Sequence, residues 1–171
     1  MASRRKGRIL AFQALYFWES NRVPVDAAQL PLAQIPLEQV PVEELVSFAW
    51  LEDEKLASLD EEIAVFSRAL IAGTVENIAE IDSMIGRHLE NWDISRLNRV
   101  DLAILRISAY TLMFQSDIPP SIVIDEAIGI SREFGTDDSF RFINGVLDSI
   151  RKTLITVQEQ PQKQEACVCG K

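Results

Sequence analysis

The chain has 171 residues, of which 47% are hydrophobic and 25% charged, and its net charge is −9. This length supports one domain with a sizeable core, and the composition is that of a globular protein rather than a disordered or fibrous one. The longest uncharged stretches, such as residues 9–18, are too short to cross a bilayer, and no small-residue cleavage site follows the first apolar run. We therefore expect a cytoplasmic protein without a membrane segment.

The charge is distributed unevenly along the chain. Residues 1–18 contain four basic side chains and no acid, so the remainder of the chain is strongly acidic. The basic side chains are Arg4, Arg5, Lys6 and Arg8. This asymmetry indicates two kinds of partner, a polyanion for the basic tip and a basic protein for the acidic body.

The hydrophobic pattern predicts an all-α fold, because apolar residues recur with the period of a helix and no alternating strand pattern is present. A first helix is predicted over 3–19. The pentapeptides LPLAQ, IPLEQ and VPVEE then occupy 30–44, and proline at every fifth position prevents one continuous helix. We expect an extended connection there, with a helix resuming after Pro41; binding as a proline-rich ligand is the alternative.

Two helices are predicted over 59–73 and 74–90, with the break at Gly73 and Thr74. His88 is expected at the solvated end of the second helix, without the companion ligands that a metal site needs. Residues after about Leu154 are predicted to form a Gln-, Glu- and Lys-rich tail.

A longer helix is predicted from Ser95, its capping residue, to about Ser116. Apolar residues cover two of its sides, which is typical of a helix at the centre of a bundle. Its narrow polar face carries Arg96, Arg99 and Arg106. These arginines could form salt bridges with the acidic body or contact phosphates. A helix over 120–134 follows, and Thr136 is predicted to cap the last helix.

The last helix contains the stretch DDSFRFINGVLDSI, in which Phe140 and Phe142 lie on opposite flanks of the predicted buried face. Both rings therefore cannot be fully buried. Phe142 is the better candidate for partial exposure, because Arg141 and Asp138 occupy the neighbouring outward positions. An aromatic ring beside an arginine suits stacking on an unpaired base. The alternative is a boundary phenylalanine that a neighbouring helix or loop covers.

Asn144 and Gly145, at the centre of that helix, both lower helix stability. We expect Gly145 to permit the close approach of a neighbouring helix. Asn144 would then form a hydrogen bond to another segment or contact a ligand.

The basic residues at the start of the first helix oppose the helix dipole, which favours negative charge there. Together with free backbone N–H groups they can form an anion site; a basic terminus of no special meaning is the alternative. No glycine-rich phosphate loop, paired histidines or nucleophile with a base is present. Cys167 and Cys169 cannot supply the four ligands of a zinc site. We therefore expect no catalytic residues, metal or cofactor.

The stretches RRKGRILAFQALYFWE at 4–19 and LNRVDLAILRISAYTLMFQSDIPPSIVIDEAIGISREFGTDDSFRFINGVLDSI at 97–150 resemble the NusB family of bacterial transcription antitermination factors. The most specific elements are DIPP followed by VIDEAI, the FGTDDS cap and FINGVLD. The proline repeat and the CVCGK ending depart from the pattern expected of the family.

The resemblance implies an all-α fold of about seven helices in two packed bundles. One domain would cover 1–155, with bundles over 1–92 and 93–155, an insertion at 24–44 and a disordered tail over 156–171. It also implies a monomer or homodimer that binds boxA RNA of nascent transcripts together with the ribosomal protein NusE, within the RNA polymerase antitermination complex that supports ribosomal RNA synthesis. The alternative is an RNA-recruiting module for a separate RNA methyltransferase subunit.

The resemblance further implies the roles of particular residues. NusE would contact Tyr16 and Asp101. The residues that would contact RNA are Arg4, Arg5, Lys6, Arg8, Asp138, Arg141 and Phe142.

Overall fold

The computed structural model describes residues 2–21, 41–89 and 93–159. Within these ranges the chain forms eight α-helices, one 3-10 turn at Ile94–Arg96 and no strand, so the predicted all-α fold is confirmed. The helices are α1 Ala2–Ser20, α2 Val42–Ser47, α3 Asp53–Ala57, α4 Glu61–Glu76, α5 Ile78–Arg87, α6 Arg99–Phe114, α7 Pro120–Phe134 and α8 Ser139–Glu159. Most of the proline repeat and the CVCGK ending lie outside the described residues.

The centre of the molecule is α6, which contacts α1, α4, α5, α7 and α8. Every residue from 101 to 109 is buried, because neighbouring helices pack on all sides of this segment. The predicted position of this helix at the centre of a bundle is therefore confirmed. The buried side chains of these six helices form one connected core. The division into two bundles at residue 92 remains a prediction. No helix in the described ranges is long and apolar enough to span a membrane.

The break between α4 and α5 differs from the prediction. It lies at Asn77, whereas Gly73 is buried within α4. The phenol of Tyr110, from α6, occupies the space into which a side chain at position 73 would project. This glycine therefore serves the contact between α4 and α6, which outweighs its low helix propensity.

The start of α6 also differs from the prediction. Asn98 caps it, accepting a hydrogen bond from the Asp101 backbone N–H at 2.8 Å, and Ser95 lies in the preceding 3-10 turn. The α7 helix has the predicted bounds. At the start of α8, the Thr136 backbone N–H donates to Ser139 Oγ at 2.9 Å. This helix continues to Glu159, past the predicted start of the tail, because Leu154 still packs against the core.

One arginine on the polar face of α6 is buried and joins three helices. Arg106 donates to Asp82 on α5 and to Glu19 on α1, and its guanidinium lies 5.8 Å from the Trp18 ring. The salt-bridge interpretation is therefore confirmed for Arg106, whereas Arg96 and Arg99 are exposed. This network determines how α1 and α5 are oriented on α6.

Candidate nucleic-acid interface

The basic head, defined as Arg4, Arg5, Lys6 and Arg8, forms the first turns of α1 and packs against α4. Ser67 Oγ donates to the carbonyl oxygen of Gly7 at 3.0 Å. A side chain at position 7 would collide with the Phe66 ring, so glycine allows the two helices to approach closely. The guanidinium groups of Arg4 and Arg8 lie 5.7 and 5.5 Å from the centroid of the same ring. The head therefore has a defined position on α4.

The four cations of the basic head differ in accessibility. Arg4 and Lys6 are exposed and Arg5 is partly exposed, whereas only 6% of Arg8 is accessible. Burial lowers the pKa of Arg8, an effect that the nearby Glu126 carboxylate opposes. Arg8 therefore offers little surface to a phosphate.

Arg5 connects the basic head to the carboxyl end of α7. Its Nη2 lies 3.2 Å from Glu133 Oε2, and both side chains are about half exposed. The guanidinium lies across Gly129, where a side chain would come within 2.7 Å of Nη1. The absence of a side chain at position 129 thus allows Arg5 to lie along α7.

Next to this contact, an aromatic ring on α8 is flanked by two arginines. The guanidinium carbons of Arg132 and Arg141 lie 4.8 and 5.4 Å from the Phe140 ring centroid. Phe140 is half-buried and both arginines are exposed. The sequence reasoning did not identify Arg132 or Phe140 as site residues, although Phe140 was placed at the edge of the buried face.

On the other flank of α8, a cleft of about 350 Å³ is lined by His88, Leu89, Arg141, Phe142, Gly145 and Ser149, among others. Phe142 is half-buried and packs against the core, so its predicted partial exposure is confirmed. Gly145 was expected to meet a neighbouring helix, and this is wrong: apart from its chain neighbours and the backbone of its own helix, no described atom lies within 4 Å of the position of a Cβ there. Position 145 instead leaves the cleft open. Asn144 is exposed.

His88 follows α5 and lies in the same cleft. It caps the end of α5, as expected, but it is half-buried, and its Nδ1 lies 2.8 Å from Ser149 Oγ on α8, so this helix end is only partly exposed to solvent. Burial lowers the pKa of the imidazole, and the nearby Arg87 lowers it further. The neutral imidazole is therefore the form that the folded chain favours at neutral pH.

A series of contacts links the basic head with the cleft. Arg5 forms an ion pair with Glu133, which is adjacent in sequence to Arg132. Arg132 and Arg141 both contact the Phe140 ring. Arg141 in turn lines the cleft beside Phe142. Asp138, also at the start of α8, is exposed and forms an ion pair with Arg141 at 3.3 Å. The structure thus brings α1, α7 and α8 together into one surface rich in arginine and aromatic side chains.

The two residues predicted to contact a protein partner differ in exposure. Tyr16 is 42% exposed and lines a groove of about 540 Å³, together with Phe12, Phe17 and Trp50 among others. The Asp101 carboxylate is only 5% exposed and lies beside Asn98, which donates a hydrogen bond to it. The structure therefore places Tyr16, but not Asp101, on the groove.

The described residues contain no group of three or more His, Cys, Asp and Glu side chains that could hold a metal ion. The described helices form a scaffold around the buried α6, with arginines and aromatic rings at the start of α1, the end of α7 and the start of α8. These features define a class of all-helical protein with a candidate polyanion-binding surface.

Comparison with known proteins identifies the family. A model described as the NusB family matches residues 5–152. The transcription antitermination protein NusB of Treponema pallidum (strain Nichols) is 50% identical over 150 residues, which cover 88% of this chain and 93% of the relative. The chain therefore belongs to the NusB family, as its resemblance implied.

Solved structures agree with this assignment. A structure of T. maritima NusB is 37% identical, with a TM-score of 0.66, and the match covers 87% of this chain and 90% of that one. A structure of the antitermination factors NusB and NusE in complex with dsRNA contains a chain that is 25% identical, with a TM-score of 0.66. That match covers 90% of this chain and 98% of the other.

Proposed function

We propose that this chain is a non-catalytic RNA-binding factor of transcription antitermination in the cytoplasm. It binds boxA-type RNA of nascent transcripts together with NusE, within the RNA polymerase complex that transcribes ribosomal RNA. Membership of the NusB family supports the role in antitermination. A similar chain in a complex of NusB, NusE and dsRNA supports NusE and RNA as partners.

The observation that carries the proposal is the continuous surface between the basic head and Phe142. Arg4, Arg5 and Lys6 present accessible cations, which hold phosphates through charge-assisted hydrogen bonds. The ring of Phe142 lines an open cleft at the other end of this surface. A base stacked on such a ring contributes about 1 to 3 kcal/mol, and it must be unpaired to reach the ring. Cations and ring together suit a single RNA strand.

The groove beside Tyr16 is the surface we assign to NusE. Its aromatic lining and exposed tyrosine are typical of the central part of a protein interface. The chain outside the basic head is strongly acidic, which attracts a basic ribosomal protein and raises the rate of association. Because Asp101 is buried, we assign it a role in supporting α6 rather than a direct contact with NusE.

The test is a gel-shift titration with single-stranded boxA-like RNA, with and without NusE, over a range of salt concentrations. The three accessible cations of the basic head contribute roughly −2 to the slope of log K against log salt, at about −0.7 per phosphate for single strands. Duplex RNA of the same sequence is the matched control, and we expect it to bind more weakly because its bases cannot reach Phe142. Affinity independent of salt, or no binding even with NusE, would refute the proposal.

A further inference from the structure

We propose that Arg132, Phe140 and Arg141 form a phosphate clamp, which holds the backbone of the RNA strand between the basic head and the cleft beside Phe142. This inference rests on the proposed function, because it concerns how the same surface holds RNA. It assigns a role to Arg132 and Phe140.

The clamp is assembled from two helices by one aromatic ring. Arg132 lies in the last turn of α7 and Arg141 in the first turn of α8. Each guanidinium lies about 5 Å from the Phe140 centroid, so the two cations are no farther apart than the sum of those distances. The ring attracts both cations through its face and limits the rotamers that these long side chains sample. Phe140 is thus a positioning residue, and the arginines are the binding groups.

Two neighbouring cations repel each other, so their proximity favours a site for an anion. Among the described residues, no carboxylate lies within ion-pair distance of Arg132, and its guanidinium contacts the Phe140 ring. Arg141 pairs with Asp138 at 3.3 Å, but both side chains are more than three-quarters exposed. Exposed pairs contribute roughly 0 to 1 kcal/mol, so a phosphate can displace this carboxylate.

The position of the clamp favours a nucleic-acid strand as the ligand. Arg132 is adjacent to Glu133, which holds Arg5 of the basic head, and Arg141 lines the cleft that contains Phe142. A strand with phosphates on the basic head and a base against Phe142 must pass over the start of α8. The positive end of this helix's dipole also favours an anion there, although the exposed Asp137 and Asp138 reduce the positive potential.

The clamp is tested by salt-dependent binding of single-stranded boxA-like RNA to Arg132→Gln and to a control, Lys152→Gln. The control removes the same charge from the exposed side of α8, about 18 Å along the axis from Phe140 at about 1.5 Å per residue. We expect Arg132→Gln to weaken binding and to reduce the magnitude of the salt slope by about 0.7, the value for one lost phosphate contact. The control should change both quantities much less.

The role of the ring is tested without any change in charge. We expect Phe140→Leu to weaken binding about two- to fivefold, the range for one exposed cation–π contact, and Phe140→Tyr to keep the affinity of the natural chain. Thermal melting of each variant shows whether it is folded. If the leucine variant unfolds, the exposed Arg132→Gln variant still decides the matter.

The outcomes separate this inference from the proposed function. A natural chain that binds no RNA overturns both. If the natural chain binds RNA and Arg132→Gln has the same affinity and salt slope as Lys152→Gln, the clamp alone is overturned. If Phe140→Tyr loses as much affinity as Phe140→Leu, the ring does not position the arginines. The clamp is supported if Arg132→Gln reduces the magnitude of the salt slope and Lys152→Gln does not, while Phe140→Tyr keeps the affinity of the natural chain.

Discussion

Arg106 binds the carboxylate of Asp82 through two hydrogen bonds, from Nε to Oδ1 at 2.8 Å and from Nη2 to Oδ2 at 2.7 Å. Its Nη1 donates to Glu19 at 2.7 Å, and the arginine side chain is 3% exposed. Changing Arg106 to Gln would remove the buried cation that these two partly buried carboxylates share. We expect a loss of about 3 kcal/mol in the free energy of unfolding, at the low end for a broken buried pair because both carboxylates retain some exposure.

Urea unfolding measures this loss, and Lys55→Gln is the matched control. Lys55 forms a pair with Glu52 in which the side chains are 66% and 77% exposed. Its loss should change the free energy of unfolding by no more than about 0.5 kcal/mol. Equal losses for the two variants would show that the buried network does not stabilise the contact of α1, α5 and α6.

If Arg5 binds RNA as proposed, Glu133 competes with the RNA for it, because the Glu133 carboxylate lies 3.2 Å from the guanidinium. Changing Glu133 to Gln should therefore strengthen RNA binding, by up to about fivefold, and leave the melting temperature nearly unchanged, as for other exposed pairs. Fluorescence anisotropy with labelled RNA measures the affinity. Glu52→Gln removes the same charge from an exposed ion pair elsewhere, and an equal gain in that variant would indicate a general effect of net charge.

The two glycines at positions 73 and 145 should respond oppositely to alanine. At Gly145 a methyl group meets no described atom within 4 Å other than its chain neighbours and its own helix backbone, so Gly145→Ala should stabilise the chain by about 0.5 to 1 kcal/mol through higher helix propensity. At Gly73 the methyl group would collide with the Tyr110 phenol, and we expect a loss of about 1 to 3 kcal/mol. Chemical denaturation measures both changes, and a destabilising Gly145→Ala would contradict the open cleft.

Gly145→Ala should also weaken RNA binding, because the added methyl group narrows the cleft beside Phe142. Weaker binding in a more stable protein cannot be attributed to unfolding. Unchanged affinity would place the base elsewhere on the surface.

The protonation of His88 should make stability depend on pH. Burial lowers its pKa in the folded chain below the ordinary value of 6.5, so the unfolded chain binds the proton more readily. The stability that the neutral imidazole provides is present above pH 6.5 and is lost as the pH falls from there through the folded-state pKa. This is the only histidine of the chain. The free energy of unfolding of the natural chain, minus that of His88→Gln, should therefore decline from about pH 7.5 to about pH 5, and a constant difference would contradict the prediction.

Much of the helical framework was predictable because it depends on local pattern. The bounds of α7 follow from proline at its start and glycine after its end, and the two apolar sides of α6 indicated a central helix before any contact was known. Family membership was predictable from the DIPP, FGTDDS and FINGVLD segments. The end of α4 was not predictable in this way, because a glycine that accommodates Tyr110 cannot be distinguished in the sequence from a glycine that ends a helix.

The candidate surface was predictable only in part. The sequence by itself determined that a basic first helix and a phenylalanine at the edge of the last helix were available for RNA, since charge and helical position are properties of each segment alone. Only the tertiary structure decided that Arg8 and Asp101 are mostly buried, and that Arg132 meets Phe140. These outcomes depend on which side chains meet when α1, α7 and α8 pack around α6, and the pattern of each segment alone does not determine that packing.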